Sequence, residues 1–360
     1  MGSIFYVLCV KTVEFIWCIK GLIIYLEHHF GVEFNSYMKT LKRVFLTCFF
    51  SLTFLSSIAQ ETLPIYSDYL SDNVFLLHPS AAGIGNCGKI RLTARTQWQG
   101  VPNAPALQTL SFHNKFGEKA AFGVIFFNDK NGYHSQKGVQ LAYAYHLEIG
   151  NGNSFEQLSF GLSATAVQNQ SDQRTFFGDP AVQQLIESTS YFNADFSVAY
   201  HRGGLSSYLT VKNLLLSAKN NLNNSLEPLD LRNYIFSAGY YFNFRNKIKM
   251  EPSVMFQFKE GTGEKIADFN VKIYKDFSKA QVWAAMSYRR SFDNGAIENL
   301  QYTTPIVGVN FNGMMFSYTY TKQLGDIVFA DTGYHQVTLG MNILCRTPRA
   351  SACPNINAAF

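Results

Sequence analysis

The sequence predicts an all-β protein: a transmembrane, antiparallel β-barrel of about fourteen strands, of the kind found in an outer membrane. Three observations carry that reading. Runs of about ten residues alternate between apolar and polar side chains, hairpin after hairpin, which is the period-2 pattern of strands lying between two different solvents. Aromatic residues make up 15% of the 360 residues and charged residues also 15%, where an ordinary soluble domain is about one quarter charged. A secretion signal precedes the strands. A mean hydropathy of −0.04 suits alternating strands better than the long apolar runs of membrane helices.

Met38 opens MKTLKRVFLTCFFSLTFLSSIAQ, in which Lys39, Lys42 and Arg43 precede an apolar run over 44–55 and the small-residue site Ser57-Ile58-Ala59. Those are the three parts of a secretory signal peptide, so residues 38–59 are expected to be removed, leaving Gln60 first. Residues 1–37 stand upstream of a complete signal and read as a start-site extension, with Met38 the true start. Their apolar stretch 4–26 is broken by Lys11, Glu14 and Lys20. From residue 60 onward 25 basic residues face 22 acidic ones, a net charge of +3, too little to argue for a nucleic-acid partner. Cys87, Cys345 and Cys353 remain, an odd number with no CxxC, so neither a disulfide framework nor a zinc site is indicated. Cys345 and Cys353 are the two that could pair in an oxidising periplasm.

Residues 60–88 form a lead-in, with 61–77 a short helix or an extended segment. The barrel is expected over 89–345, with strands near 89–98, 107–116, 119–128, 137–148, 156–168, 190–201, 205–213, 233–243, 248–259, 266–275, 280–290, 302–311, 313–322 and 334–344. In the first, Ile90, Leu92, Ala94, Thr96 and Trp98 oppose Arg91, Thr93, Arg95 and Gln97. In the second, Leu110, Phe112 and Phe116 oppose Thr109, Ser111, His113 and Lys115. A soluble sandwich also alternates. The strand length, the even count, the aromatics at strand ends and the secretion signal favour a closed barrel, which leaves no edge for lipid to meet. Short connections (117–118, 203–204) and long ones (170–189, 214–232) fall on opposite sides when the first strand runs outward, as in outer-membrane barrels. Residues 346–360 form a periplasmic tail.

Short landmarks recur in order along the chain: HPSAAG (78–83), Arg95-Thr96-Gln97-Trp98-Gln99-Gly100, Ala104-Pro105, Thr109-Leu110-Ser111-Phe112-His113, Asn128-Asp129-Lys130 with Gly132, and Tyr143-Ala144-Tyr145-His146-Leu147. Glu251-Pro252, Tyr288-Arg289, Gly333-Tyr334-His335 and Cys353-Pro354 complete the set. In these landmarks the chain resembles the PorP/SprF family of type IX secretion system membrane proteins, over residues 62–354. His78 stands where that family usually has Asn, and Leu107-Gln108 where it often has a second Thr. The resemblance implies a non-enzymatic outer-membrane barrel, bound by outer-membrane lipid and without a cofactor. It implies service in the secretion or surface anchoring of adhesins and other clients with C-terminal sorting domains. The implied partners are type IX secretion components of the periplasm, peptidoglycan-associated proteins among them. The family-motif positions Pro79, Gly83, Arg95, Trp98, Gly100, Pro105, Ser111, His113, Asp129 and Gly132 are then candidates for structural or partner contacts.

Each also has a plainer reading. Pro79 and Gly83 fit a tight turn entering the first strand, and Trp98, on the apolar face, an interfacial girdle. Arg91, Arg95, His113 and Lys115 share the polar face. They could select anions in a pore or fill a closed barrel as an internal ion-pair network. Asp129-Lys130-Asn131-Gly132 is a hairpin turn, with too few carboxylates for calcium. Ser111 and His113 lie at i, i+2, about 7 Å apart along a strand, too far for a nucleophile and its base. No metal-ligand set, phosphate loop or nucleophile elbow occurs. The alternative function is an outer-membrane porin or hydrophobic-substrate channel. A bore filled by Arg91, Arg95, Asp195, Asp268 and Lys272 pairs would speak for a scaffold, an unobstructed one for the porin.

Overall fold

The structure is a computed structural model that describes residues 67–70, 73–97, 104–149, 156–172, 186–215, 232–244, 248–260, 263–292, 301–324 and 333–346. The expected signal peptide, the segment upstream of it, Trp98, Gly100 and the tail beyond 346 lie outside these residues.

Fifteen strand segments follow one another: β1 Gly88–Thr96, β2 Ala106–Phe116, β3 Ala120–Asn131, β4 His134–Glu148, β5 Glu156–Asp172, β6 Ile186–Arg202, β7 Leu205–Lys212, β8 Asn233–Tyr240, β9 Phe242–Asn243, β10 Ile248–Lys259, β11 Lys265–Asp276, β12 Ala280–Ser291, β13 Gln301–Phe311, β14 Met314–Leu324 and β15 Tyr334–Ile343. Neighbours in sequence pair antiparallel, and β1 also pairs with β15, from Gly88↔Ile343 to Thr96↔His335, which closes the sheet. β8 and β9 are two parts of one stave, both paired to β10 in a single register (Ser253↔Gly239, Lys249↔Asn243). Their break at Tyr241 lies opposite Glu251 and beside Pro252, which has no N–H to give the ladder. The barrel therefore has fourteen staves, as the alternation predicts.

The alternation sorts the side chains as expected. Leu92, Leu110, Phe122, Phe126, Leu141, Leu162, Phe192, Ile273 and Phe316 lie exposed on the outer wall, while Arg91, Thr93, Ser111, His113, Asp195 and Asp268 are buried within. Such an outward apolar band has only lipid as a stable environment. The connections at the end where β1 begins are short (117–119, 203–204, 277–279, 312–313), and most at the opposite end are longer (97–105, 173–185, 213–232). By loop length the start of β1 faces the periplasm.

Two features differ from the sequence reading. β5 and β6 reach Asp172 and Ile186, so both ends of the expected 170–189 loop, 170–172 and 186–189, are strand. The ladder there runs through mostly polar residues (168–172 and 187–190), so the apolar–polar alternation does not report it. Cys345 is bonded to Cys87, not to Cys353, the pairing the sequence left open. The sequence shows two cysteines near the tail, but barrel closure sets the last strand beside the first.

Candidate functional site: the plugged lumen

The lead-in is neither a simple turn nor a loose arm. It forms three short 3-10 helices, Ser67–Leu70, Val74–Leu76 and Pro79–Ala81, buried inside the barrel. Tyr69, Leu70, Phe75, Leu77, His78, Ser80, Ala81, Ala82 and Ile84 are all buried. Pro79 starts the third helix, where its missing N–H costs nothing. Gly83 then turns the chain at φ +68°, and a Cβ there would meet the Ala121 side chain at 2.4 Å.

Apolar contacts divide the lumen in two. Phe75, Ala81, Ala82 and Ile84 pack with Ala121, Ile125, Ala142, Ala144, Ala199 and Tyr208 of β3 to β7. Tyr69, Leu70 and Leu77 pack with Ile235, Met255, Tyr274, Trp283, Ile306 and Met315 of β8 to β14. Because the plug's backbone is folded against the wall, its polar groups must find partners there. Asn73 donates to Ser111 Oγ (3.0 Å), the Gly83 N–H to His113 Nδ1 (2.9 Å), and Lys212 Nζ to the Leu76 carbonyl (3.3 Å). His146 Nε2 lies 3.0 Å from the Ala82 carbonyl.

His78 is the hub of one chain of these bonds. Its Nδ1 lies 2.7 Å from Thr210 Oγ1 and its Nε2 2.9 Å from Ser237 Oγ, and its ring stacks on Tyr208. Thr210 donates to Ser197 Oγ (2.8 Å), which lies 2.6 Å from Ser80 Oγ. With its proton given to Ser197, Thr210 accepts from Nδ1–H, so Nε2 accepts from Ser237: the neutral imidazole satisfies every member. A second anchor lies at Tyr69, whose hydroxyl donates to Asp268 Oδ2 (2.9 Å) and accepts from Asn270 (3.0 Å). Asp268 receives both prongs of Arg289, each at 2.7 Å. Lys272 donates to the Leu70 carbonyl (3.3 Å) and sits 3.9 Å over the Trp283 ring.

The expected internal ion-pair network takes a different form. Asp268 is paired with Arg289 rather than with Lys272. Asp195 accepts from Gln140, Ser163 and the Asn213 N–H. Arg91 donates to the carbonyl of Ile90 and to Asn342, and Arg95 lies 4.4 Å over the Tyr334 ring. The plug occupies the bore between the walls it touches, while Arg91 lines a cavity of about 400 Å³ with Gln281, Asn310, Met315 and Asn342.

Of the motif positions, Pro79, Gly83, Ser111 and His113 come together in the plug and its wall. Ser111 and His113 both bind the plug's chain, and that geometry holds the imidazole nitrogen facing Gly83 away from any base role. Pro105 instead closes the foot of a loop, its carbonyl accepting from the Gln97 N–H (3.0 Å). Asp129 sits half-buried near the end of β3, and Gly132 (φ +61°) turns the hairpin into β4. Asn73, Ser197, Thr210, Ser237, Gly123 and Gly161 were not singled out from sequence. The two glycines carried a signal: each stands mid-strand on the inward face, Gly161 among polar residues and Gly123 among apolar ones, where glycine marks close approach of another chain. A Cβ on Gly161 would lie 2.2 Å from the Ser80 nitrogen, and one on Gly123 2.3 Å from the Phe75 ring. Among the described residues no group of three or more His, Cys, Asp or Glu is placed to hold a metal ion.

Residues 58–341 match the family described as type IX secretion system membrane protein PorP/SprF. The chain belongs to that family. No curated protein matches it. Among solved structures, BamA from Haemophilus ducreyi lacking POTRA domains 1–3 covers 72% of this chain and 70% of its own at 8% identity, with a TM-score of 0.41. The β-domain of the Bordetella autotransporter BrkA covers 71% and 98% at 11% identity (TM-score 0.38), and Acinetobacter baumannii Omp33 72% and 100% at 10% (TM-score 0.36). As a PorP/SprF barrel with an apolar outer belt, the protein resides in the outer membrane and is associated with secretion.

Proposed function

We propose that this PorP/SprF protein is a non-enzymatic platform of the type IX secretion and gliding machinery, a membrane-embedded mount rather than a conduit. It supports the secretion or surface anchoring of proteins with C-terminal sorting domains. Its periplasmic side engages other components of the apparatus, including peptidoglycan-associated proteins. The observation that carries this reading is the plug. A bore occupied by a segment buried in two apolar cores and bonded to strands from β2 to β11 suits a mount, and argues against the porin or hydrophobic-substrate channel. Ser111 and His113, the pair weighed from the sequence as a nucleophile and its base, are both engaged with the plug, which supports the non-enzymatic part.

The test is purification of the tagged protein from its native outer membrane in mild detergent, with mass spectrometry of what accompanies it. Adhesins, sorting-domain proteins or periplasmic ring, motor and peptidoglycan-binding components are expected. A barrel that purifies alone and conducts ions steadily in a planar bilayer would overturn the proposal in favour of the porin.

A further inference from the structure

Cys87 immediately precedes β1 and Cys345 follows β15, and the disulfide between them joins positions 258 residues apart. The ladder from Gly88↔Ile343 to Thr96↔His335 runs along one side of that bond. On its other side the Arg346 N–H donates to the Asn86 carbonyl (2.8 Å), and the Arg346 guanidinium reaches the carbonyls of Lys115 and Gly117 at the next turn. Leu344 adopts a left-handed φ of +50°, a conformation that costs a leucine energy; it turns the chain out of β15 as Cys345 approaches Cys87. The segment just before Cys87 is the root of the plug. One covalent bond thus sits where the barrel's seam and the plug's attachment meet.

We propose that Cys87 and Cys345 are a modification site. A dithiol–disulfide oxidase of the periplasm seals the barrel there once β1 and β15 have paired, and the bond locks the seam against lateral opening. Before pairing, Cys345 has Cys353 as its near neighbour in sequence. Pairing the first and last strands raises the effective concentration of Cys87 at Cys345, so the folded seam selects the partner. In the reaction one cysteine thiolate attacks a sulfur of the oxidase disulfide and expels the other oxidase sulfur as thiolate. The second cysteine thiolate then attacks the mixed disulfide at the sulfur held by this chain. The Cys87–Cys345 bond forms, the oxidase leaves as a dithiol, and the two protons lost by the chain's thiols are taken up by the oxidase sulfurs. Two electrons pass from this chain to the oxidase.

The test uses the full chain in its native outer membrane. Free thiols are blocked with one alkylating reagent, the protein is reduced, and newly exposed thiols are labelled with a second before mass spectrometry. Cys87 and Cys345 are expected to carry the second label and Cys353 the first. In cells lacking the periplasmic oxidase activity, Cys87 and Cys345 are expected to carry the first label. Cys87 found as a thiol in the folded native protein, or Cys345 linked to Cys353, would overturn the assignment. Heat-modifiability on semi-native gels tests the lock itself. A membrane-permeant dithiol reductant should lower the temperature at which the wild-type folded band is lost by about 10 °C. The C87S/C345S variant should start low and ignore the reductant. A wild-type band indifferent to reduction would sink the lock, whether or not the variant folds.

Discussion

The imidazole of His78 touches β7 with one nitrogen and β8 with the other while its face lies on Tyr208. Burial pushes its pKa down to about 3, with the Lys212 charge adding to the effect, so the docked ring is neutral. A released plug would expose the imidazole at its ordinary value near 6.5. Docking is therefore at full strength above about pH 6.5 and weakens by roughly tenfold for each pH unit below it, down to about pH 3. The protection of the amides over 80–84, taken relative to intrinsic exchange at each pH, should fall accordingly between pH 6.5 and 5, and H78N should flatten that dependence. The same substitution keeps a polar contact near Thr210 but loses Ser237 and the stacking, a cost of about 1–2 kcal/mol. Gly161→Val should act more severely, because any side chain there collides with the plug's backbone. Its expected signature is protease cleavage within 67–84 in the otherwise folded barrel. Asp268→Asn strands the Arg289 charge in the lumen wall and should cost about 3–5 kcal/mol. Such roles were only partly legible. His78, Gly83 and His113 stood in recognisable landmarks, but a sequence does not say that two landmarks face each other across a bore. Asn73 and Ser197 look like any polar residues on a strand or loop.

Among the elements, the strands were the most legible part, since their alternation is imposed by lipid outside and packed polar groups inside. Where the residues turn mostly polar, as at the outer ends of β5 and β6, the pattern stops reporting the strand. The break between β8 and β9 lies beside Pro252, visible in the sequence, though the register that sets Pro252 opposite Tyr240 is not. The lead-in was illegible for a physical reason: it has neither a period of two nor of 3.6, and its conformation is dictated by the wall. Deleting residues 67–84 as a unit should leave the fourteen staves paired but empty the bore. Planar-bilayer recordings should then show a steady open conductance where the intact protein is closed. A silent deletion variant that still gives a heat-modifiable folded band would show that the strands alone block the lumen.

For the molecule as a whole, the plug's bonds run like spokes from one short segment to walls as far apart as Ser111 and Asn270. They couple staves that share no ladder, so loosening one spoke should be felt around the circumference. This segment is also synthesised before any strand. Staves that assemble in sequence order would therefore gather about an object already present, and a hollow cylinder need never form. On that view the leading residues are a mandrel: they hold the diameter while the wall is wound, and they stay inside the finished article. A variant supplied with its plug only afterwards, as a separate peptide, would have to thread a seam already shut.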